Sequence, residues 1–525
     1  MGIYLNPGNV LLQQDRRASI FIDKSMMISE LNKLVNTREK FVCVSRPRRF
    51  GKSMAGNMLA AYYSKGCDSR ELFNDLKIAH DKSYEEYLNK LNVIKIDMNA
   101  MYNNSHGKDV VSVIHQRLRD EFSEEFPNIR FGDDDNLDYC MMKVYAKMGE
   151  TFVVIIDEYD VLVREQVPAE VFKSYLSFLN GLFKNADLSP AISLAYLTGI
   201  LPIVRDKIQS KLNLFTEYSM TNPMNLAEFV GFTAEETKGL CEQYGMDYDE
   251  CKRWYDGYDL KTVKEVFSPR SVVSAMMNRE YGSYWTQTGS YEALKLYILM
   301  NFDGMKDDVI KMMGGGKVHV EVDSYLNTMT DFHGKDDVFT YLIHLGYLAY
   351  DRENQLCYIP NEEIRKQWVI SVQYEEDYAP IIKLVNDSKQ LLEATINKDE
   401  EAVANALTEA HMRVTNPLTY NNEASFQSAI GLAYFYANLK YTVIKELPTG
   451  KGYADLALIP YVPNIPAMII ELKNNKSAES AINQIKEKKY DDLLEHYRGD
   501  LLFVGINYDP DTKEHQCKIE ECVIE

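Results

Sequence analysis

A chain of 525 residues is longer than one hydrophobic core usually organises, which excludes a single small domain. With 46% hydrophobic and 26% charged residues, the composition is that of an ordinary globular protein and excludes disorder on a large scale. The formal net charge of −20 excludes the positive coat of a dedicated nucleic-acid binder, so any contact with DNA or RNA has to be local.

The N-terminus has no basic start followed by an apolar run, and nowhere do ~18 apolar residues occur in succession, so a cytoplasmic protein with no membrane span is expected. Gly2 opens a string close to a myristoylation site, but Asn6 stands where Ser or Thr is needed. The eight cysteines are scattered without a CxxC pair, which argues for free thiols in a reducing compartment.

The first elements read strand, loop, helix: FVCVS ending at Ser45, then RPRRFGKS, then MAGNMLAAYY. Further apolar strands are expected over Val93–Ala100, Thr151–Asp160 and Ala191–Gly199, with helical stretches between them. Strands buried on both faces and separated by helices describe a parallel α/β sheet, here assigned to a first domain over residues 1–224. Residues 225–400 read as a mainly helical region. One helix there opens on Thr233, with Glu236 completing a capping box. The aromatic segments Trp254–Asp259 and Tyr281–Gly289 suit core packing better than base stacking. Gly314, Gly315, Gly316 and Lys317 imitate a phosphate loop, but no strand precedes them, and a turn is expected. Residues 401–525 form a third unit in the order helix, three strands, helix, strand: NEASFQSAIGLAYFYANL, YTVIKEL, GYADLALIP, AMIIELK, SAESAINQIKEKKY and Asp500–Asp509.

Phosphate binding needs outward backbone N–H groups, a helix N-terminus and a mobile cation. Arg49, Phe50, Gly51, Lys52 and Ser53 supply these. Gly51 permits close approach, Lys52 carries the charge and Ser53 offers a hydroxyl to magnesium. Arg46 occupies the place of the first glycine in GxxxxGKS, and Arg46, Arg48 and Arg49 could touch phosphates, a partner domain or solvent. Asp157 and Glu158 close an apolar strand, where acidic residues have little structural excuse. Asp157 is expected to hold magnesium, and Glu158 to activate the attacking water. Thr198 either senses the γ-phosphate or caps the following turn. Arg205 is the positional candidate for an arginine finger, supplied within the chain or by a neighbour in a homo-oligomer.

Metal-dependent phosphodiester cleavage needs converging carboxylates and a lysine. Asp455 lies in one strand, and Glu471 and Lys473 lie two apart on one face of the next. Asp455 and Glu471 are the expected metal ligands and Lys473 the catalytic cation. Glu423 and Gln484 stand in support, with Tyr490 following on the same helix as Gln484. The competing account is a solvated strand end.

These residues together resemble a bacterial family of AAA-ATPase-like proteins with a C-terminal domain of the PD-(D/E)XK nuclease superfamily. The markers are FIDKS, RPRRFGKS, VIIDEYD, LTG, WYDGY, YW..TG, GYADLAL, IIELK and NQIKEKKY. The resemblance implies a P-loop NTPase sheet, a helical middle and a C-terminal α/β restriction-endonuclease-like domain. It also implies ATP and Mg2+ at the first site, and Mg2+ or Mn2+ at the second. RPRRFGKS is itself the family's usual loop, whereas GYAD lacks the Arg that often precedes the Ala-Asp pair. Two functions follow as expectations. One is an ATP-controlled, metal-dependent nuclease acting on DNA or RNA, in defence against mobile DNA. The other is a nucleotide-switched binding protein whose nuclease fold is inactive.

Overall fold

The computed structural model describes the chain apart from residues 1, 107–108, 166, 204–213, 286–290, 299, 301, 303, 324, 326–331, 373–378, 415–429, 431–432, 435, 438–439, 450–451, 461–464, 489–499 and 524–525. Two compact units result: Met1–Trp285 with His319–Asn361, and Thr286–Val318 with Glu362–Glu525.

In the first unit, β1 (Phe41–Ser45), β2 (Asn92–Asp97), β3 (Phe152–Asp157), β4 (Ile192–Gly199) and β5 (Thr216–Tyr218) form one sheet in the order β2-β3-β4-β1-β5. Every pairing in it is parallel. All residues of β1, β3 and β4 are buried, as expected of strands covered on both faces. Phe41, Cys43, Ile94, Ile96, Val154, Ile156, Ala195 and Leu197 pack on one face with the helices Val110–Glu125, Leu137–Met148 and Ala169–Phe183. The helix Lys52–Tyr63 covers the other face, where a Cβ added at Gly56 would lie in ordinary contact, 3.7 Å from Ile155 Cγ2. Inserting β4 between β1 and β3 aligns the loop after β1, the end of β4 and the acidic end of β3 along one edge, where ligands of open α/β sheets bind.

The second strand is shorter than its apolar pattern suggests. β2 stops at Asp97, whose carboxylate accepts Ala100 N at 2.9 Å and starts a helix over Met98–Asn103. An N-cap aspartate thus outweighs the apolar run that continues through Met98 and Ala100.

Further along, Thr233 and Glu236 form the expected capping box, and the helix Ala234–Tyr244 ends on left-handed Gly245. The strands here are short: antiparallel β6 (Phe232–Thr233) and β7 (Val266–Phe267), then β8 (Val318–His319), and antiparallel β9 (Ala349–Asp351) and β10 (Leu356–Tyr358). Trp254, Tyr255 and Tyr258 are buried, so this aromatic segment is packing. Gly314–Gly316 form the turn that ends the helix Met305–Met313.

The second unit holds a mixed sheet in the order β11 (Tyr441–Thr449), β12 (Gly452–Pro460), β13 (Ala467–Asn474), β14 (Asp500–Asp509), β15 (Glu514–Val523). Helix Ala478–Glu487 crosses between the parallel pair β13 and β14. One core joins Leu456, Leu458, Met468 and Ile470 to Leu391, Leu392, Val403 and Leu407; another joins Ile469 and Phe503 to Ile482 and Ile485. β15 extends the expected order by one strand. It is an edge strand whose Lys518, Glu520 and Glu521 pair with Glu400, Lys486 and Lys398, and this charge hides it from a search for apolar runs. The expected helix over NEASFQSAIGLAYFYANL lies largely outside the described residues.

Candidate active sites

The loop after β1 is built from two left-handed residues, Arg49 (φ 69) and Gly51 (φ 90). A Cβ at Gly51 would meet nothing within 4 Å, so backbone conformation alone calls for glycine there. Phe50 is buried edge-on against Tyr258 at 5.4 Å, and Tyr258 Oη donates to Gly346 O at 2.6 Å. Pro47 lies so near Gly346 that a Cβ there would come within 2.8 Å. Arg49 Nη1 donates to Tyr284 O and Trp285 O, and Arg48 is exposed. The WYDGY and YW segments are therefore the seat of the loop.

Arg46 faces none of the three surroundings expected of it. Its side chain is fully buried, Nη1 donates to Ser45 O at 2.9 Å and Tyr218 O at 2.8 Å, and its backbone N donates to Gly199 O. It ties β1 to β4 and β5 from beneath the loop. Burial pushes its pKa down to about 10.

Lys52 Nζ, in a residue only 7% exposed, donates to the carbonyls of Arg46 (3.0 Å) and Pro47 (2.8 Å). Burial lowers its pKa to about 8, against the attraction of Asp160, Asp157 and Glu158. Asp157, 5% exposed, accepts Glu158 N at 3.0 Å. Its carboxyl is pushed up by burial; a hydrogen bond from Ser53 and the charge of Lys52 pull the other way, while Asp97 and Glu158 add repulsion. The two expected magnesium ligands thus meet directly, and a buried carboxylate crowded by other acids fits a divalent cation. Asp97 sits across the β2–β3 register from Asp157, and Thr198 across the β3–β4 register. The Thr198 hydroxyl is buried and, among the described residues, makes no hydrogen bond to the turn that follows.

Glu158 takes a left-handed φ of 50 and is paired with Arg164. Two residues on, Asp160 is fully buried and accepts Ile200 N (3.1 Å) and Leu201 N (2.9 Å). A Cβ at Gly199 would stand 2.5 Å from Asp160 Oδ1, so DEYD and LTG are two halves of one contact. Asp160 and Arg164 escaped the sequence reading; the second aspartate of DEYD, opposite the glycine of LTG, was the signal for Asp160. Arg205 lies outside the described residues.

In the second unit, the β12–β13 register runs from Leu458↔Met468 to Leu456↔Ile470. Beyond it Leu472 N donates to Asp455 Oδ2 at 2.8 Å, so a side chain takes over from the ladder. Glu471 is 2% exposed, and its Oε1 accepts from Lys473 Nζ at 3.1 Å and from Gln484 Nε2. Burial raises its pKa, Asp455 adds to the rise, and Lys473 opposes it. Among the described residues, none partners the buried Glu471 Oε2. A solvated strand end does not describe this: the fold brings Asp455, Glu471, Lys473 and Gln484 together. Among the described residues no group of three or more His, Cys, Asp or Glu converges; Glu423 and Tyr490 lie outside them. The orphaned oxygen beside a second carboxylate nevertheless fits a hard cation.

Fold and sites define a P-loop ATPase-like domain followed by a restriction-endonuclease-like domain. Residues 13–209 match the model of the family described as predicted AAA-ATPase, and residues 421–518 match that of the PD-(D/E)XK nuclease superfamily. A protein of Azotobacter chroococcum mcd 1, described as an uncharacterized protein in the vnfD 5′ region, is 22% identical over 497 residues, 90% of each chain. Among solved structures, the Aeropyrum pernix ORC1 protein in complex with DNA aligns with 72% of this chain and 99% of its own, at 12% identity and TM-score 0.27. The Aeropyrum pernix ORC2 protein, in ADPNP–ADP complexes, aligns with 66% and 92%, at 10% identity and TM-score 0.25. No helix among the described residues is long and apolar enough to cross a membrane.

Proposed function

We propose that this chain binds and hydrolyses ATP with magnesium in its first unit and uses that cycle to control metal-dependent phosphodiester cleavage in its second, in defence against mobile DNA. The observation that carries the reading is the convergence of Lys52, Ser53 and Asp157 at the C-terminal edge of a parallel sheet, with the loop between strand and helix. Lys52 leaves the carbonyls of Arg46 and Pro47 for the β and γ oxygens. Ser53 and Asp157 hold the cation, and Glu158 takes the proton of the attacking water. In the second unit Asp455 and Glu471 hold a divalent ion, which when bound supplies Lewis-acid polarisation of the phosphate. Lys473 orients the attacking water or offsets charge on the phosphate, and Gln484 fixes the Glu471 rotamer.

Full-length protein is incubated with plasmid and single-stranded DNA in magnesium or manganese, with and without ATP. Lys52→Ala is expected to lose turnover and ATP-dependent cleavage together; Asp455→Ala loses cleavage and keeps turnover. Retention of ATP binding and turnover by Lys52→Ala would remove the basis of the reading. If wild type and Asp455→Ala are equally inert on nucleic acid while ATP turnover persists, the second domain is a recognition module, a role to which the net charge of −20 is no obstacle.

A further inference from the structure

The residues between Glu158 and the exit of β4 form one connected set. Arg164 Nη2 lies 2.7 Å from Glu158 Oε2, and its Nε lies 3.1 Å from Asp160 Oδ2. The guanidinium is inside the protein, with 8% of the side chain exposed. That same Oδ2 of Asp160 accepts the backbone N–H groups of Ile200 and Leu201, which leave β4. Tyr159 adds two further ties, its N to Thr198 O and its hydroxyl to Leu201 O at 2.7 Å. Glu158 is thus joined to the turn after β4 through a single guanidinium bridging two carboxylates.

A carboxylate whose oxygen is held by a buried guanidinium has its side chain fixed in direction. For Glu158 to turn toward an attacking water, that bond has to open. The bond does not stand alone: Arg164 is held by Asp160, and Asp160 by the two amides, so a shift of residues 200–201 changes the hold on Glu158. We propose that Arg164 is a positioning residue that restrains Glu158, and that movement of the turn after β4 releases it. The inference rests on the ATPase reading above and goes beyond it by assigning a built-in brake and the element that works it.

Steady-state Mg-ATP turnover of the full chain tests this, with Lys52→Ala as the baseline and thermal melting as the check on folding. Arg164→Met is expected to raise kcat roughly threefold or more while KM for ATP stays within about twofold, because the brake acts on the base and not on nucleotide binding. Arg164→Lys, which keeps the charge but cannot bridge both carboxylates, is expected between wild type and Arg164→Met. Asp160→Asn keeps the shape and loosens the second anchor, giving a smaller rise of the same sign; it decides the matter if Arg164→Met melts early. An unchanged or lowered kcat in a variant that melts like wild type, or kcat and KM moving together, overturns the brake. Wild-type turnover no greater than that of Lys52→Ala overturns the ATPase reading and the brake with it. Wild-type turnover above that baseline with indifferent variants overturns the brake alone.

Discussion

Lys52 carries its charge where solvent barely reaches. With a pKa near 8 in the folded protein and 10.5 as its ordinary value, the unfolded chain binds more protons between those values. Its contribution to stability therefore rises with pH across that window and is flat below it. A triphosphate beside Nζ would restore the charged form. ATP binding above about pH 8 should accordingly take up a proton and weaken as pH rises, whereas binding near pH 7 should be proton-neutral at this residue. Calorimetry in buffers of different ionisation enthalpy reads the uptake; a proton count independent of pH would refute it. Glu471 presents the opposite case of a carboxylate held above its ordinary range. Its ionised form destabilises the fold as pH rises through the folded pKa. Glu471→Gln should thus raise the melting temperature at neutral pH in chelator, with the gap closing toward pH 4, while abolishing cleavage. Magnesium or manganese should raise the wild-type midpoint and leave that of the variant unmoved.

At the scale of elements, the contact between the β3 and β4 ends is close enough that one methyl group tests it. Gly199→Ala would drive a Cβ to 2.5 Å from Asp160 Oδ1 and 2.9 Å from Tyr159 Cε1. A loss of about 1–3 kcal/mol in stability, read from denaturant midpoints, is expected. Gly181→Ala is the internal comparison. It lies in the helix Ala169–Phe183, and a Cβ there meets nothing within 4 Å. A gain of about 0.5–1 kcal/mol from helix propensity is expected there. Equal effects at the two positions would show that the β3–β4 contact is not special. The same scale explains what could be read in advance. β1, β3 and β4 are buried on both faces, so their apolar runs stand out from sequence alone. β15 is an edge whose charges answer charges on neighbouring helices and the turn at Lys398, and no hydrophobic period marks it. The true end of β2 depended on Asp97 capping the next helix, a local choice that an apolar run overrides on paper.

For the whole molecule, the motif residues were legible because each breaks a pattern: acids closing apolar strands, a lysine after a left-handed glycine. Their supports were not, since Asp160 on the exit of β4 and the seat of the loop on Tyr258 and Gly346 depend on contacts across long separations in sequence. Arg46 was read as a candidate for phosphates, a partner domain or solvent, because a cation in a phosphate loop invites that; its burial under the sheet edge is a tertiary fact. With a net charge of −20, nucleic acid would approach against long-range repulsion. Attraction then has to come from groups within about 10 Å of the phosphates, such as Lys473.

The buried Arg46 also bears on how such proteins are found. Because its side chain is anchored to Tyr218 O and its backbone to Gly199 O, the position is a joint between strands, and a glycine there would empty that joint. A search pattern that insists on the first glycine of GxxxxGKS passes over this loop, although Gly51, Lys52 and Ser53 are all in place. Inventories of nucleotide-binding proteins drawn up with that pattern omit any chain whose loop carries a buried side chain at that position.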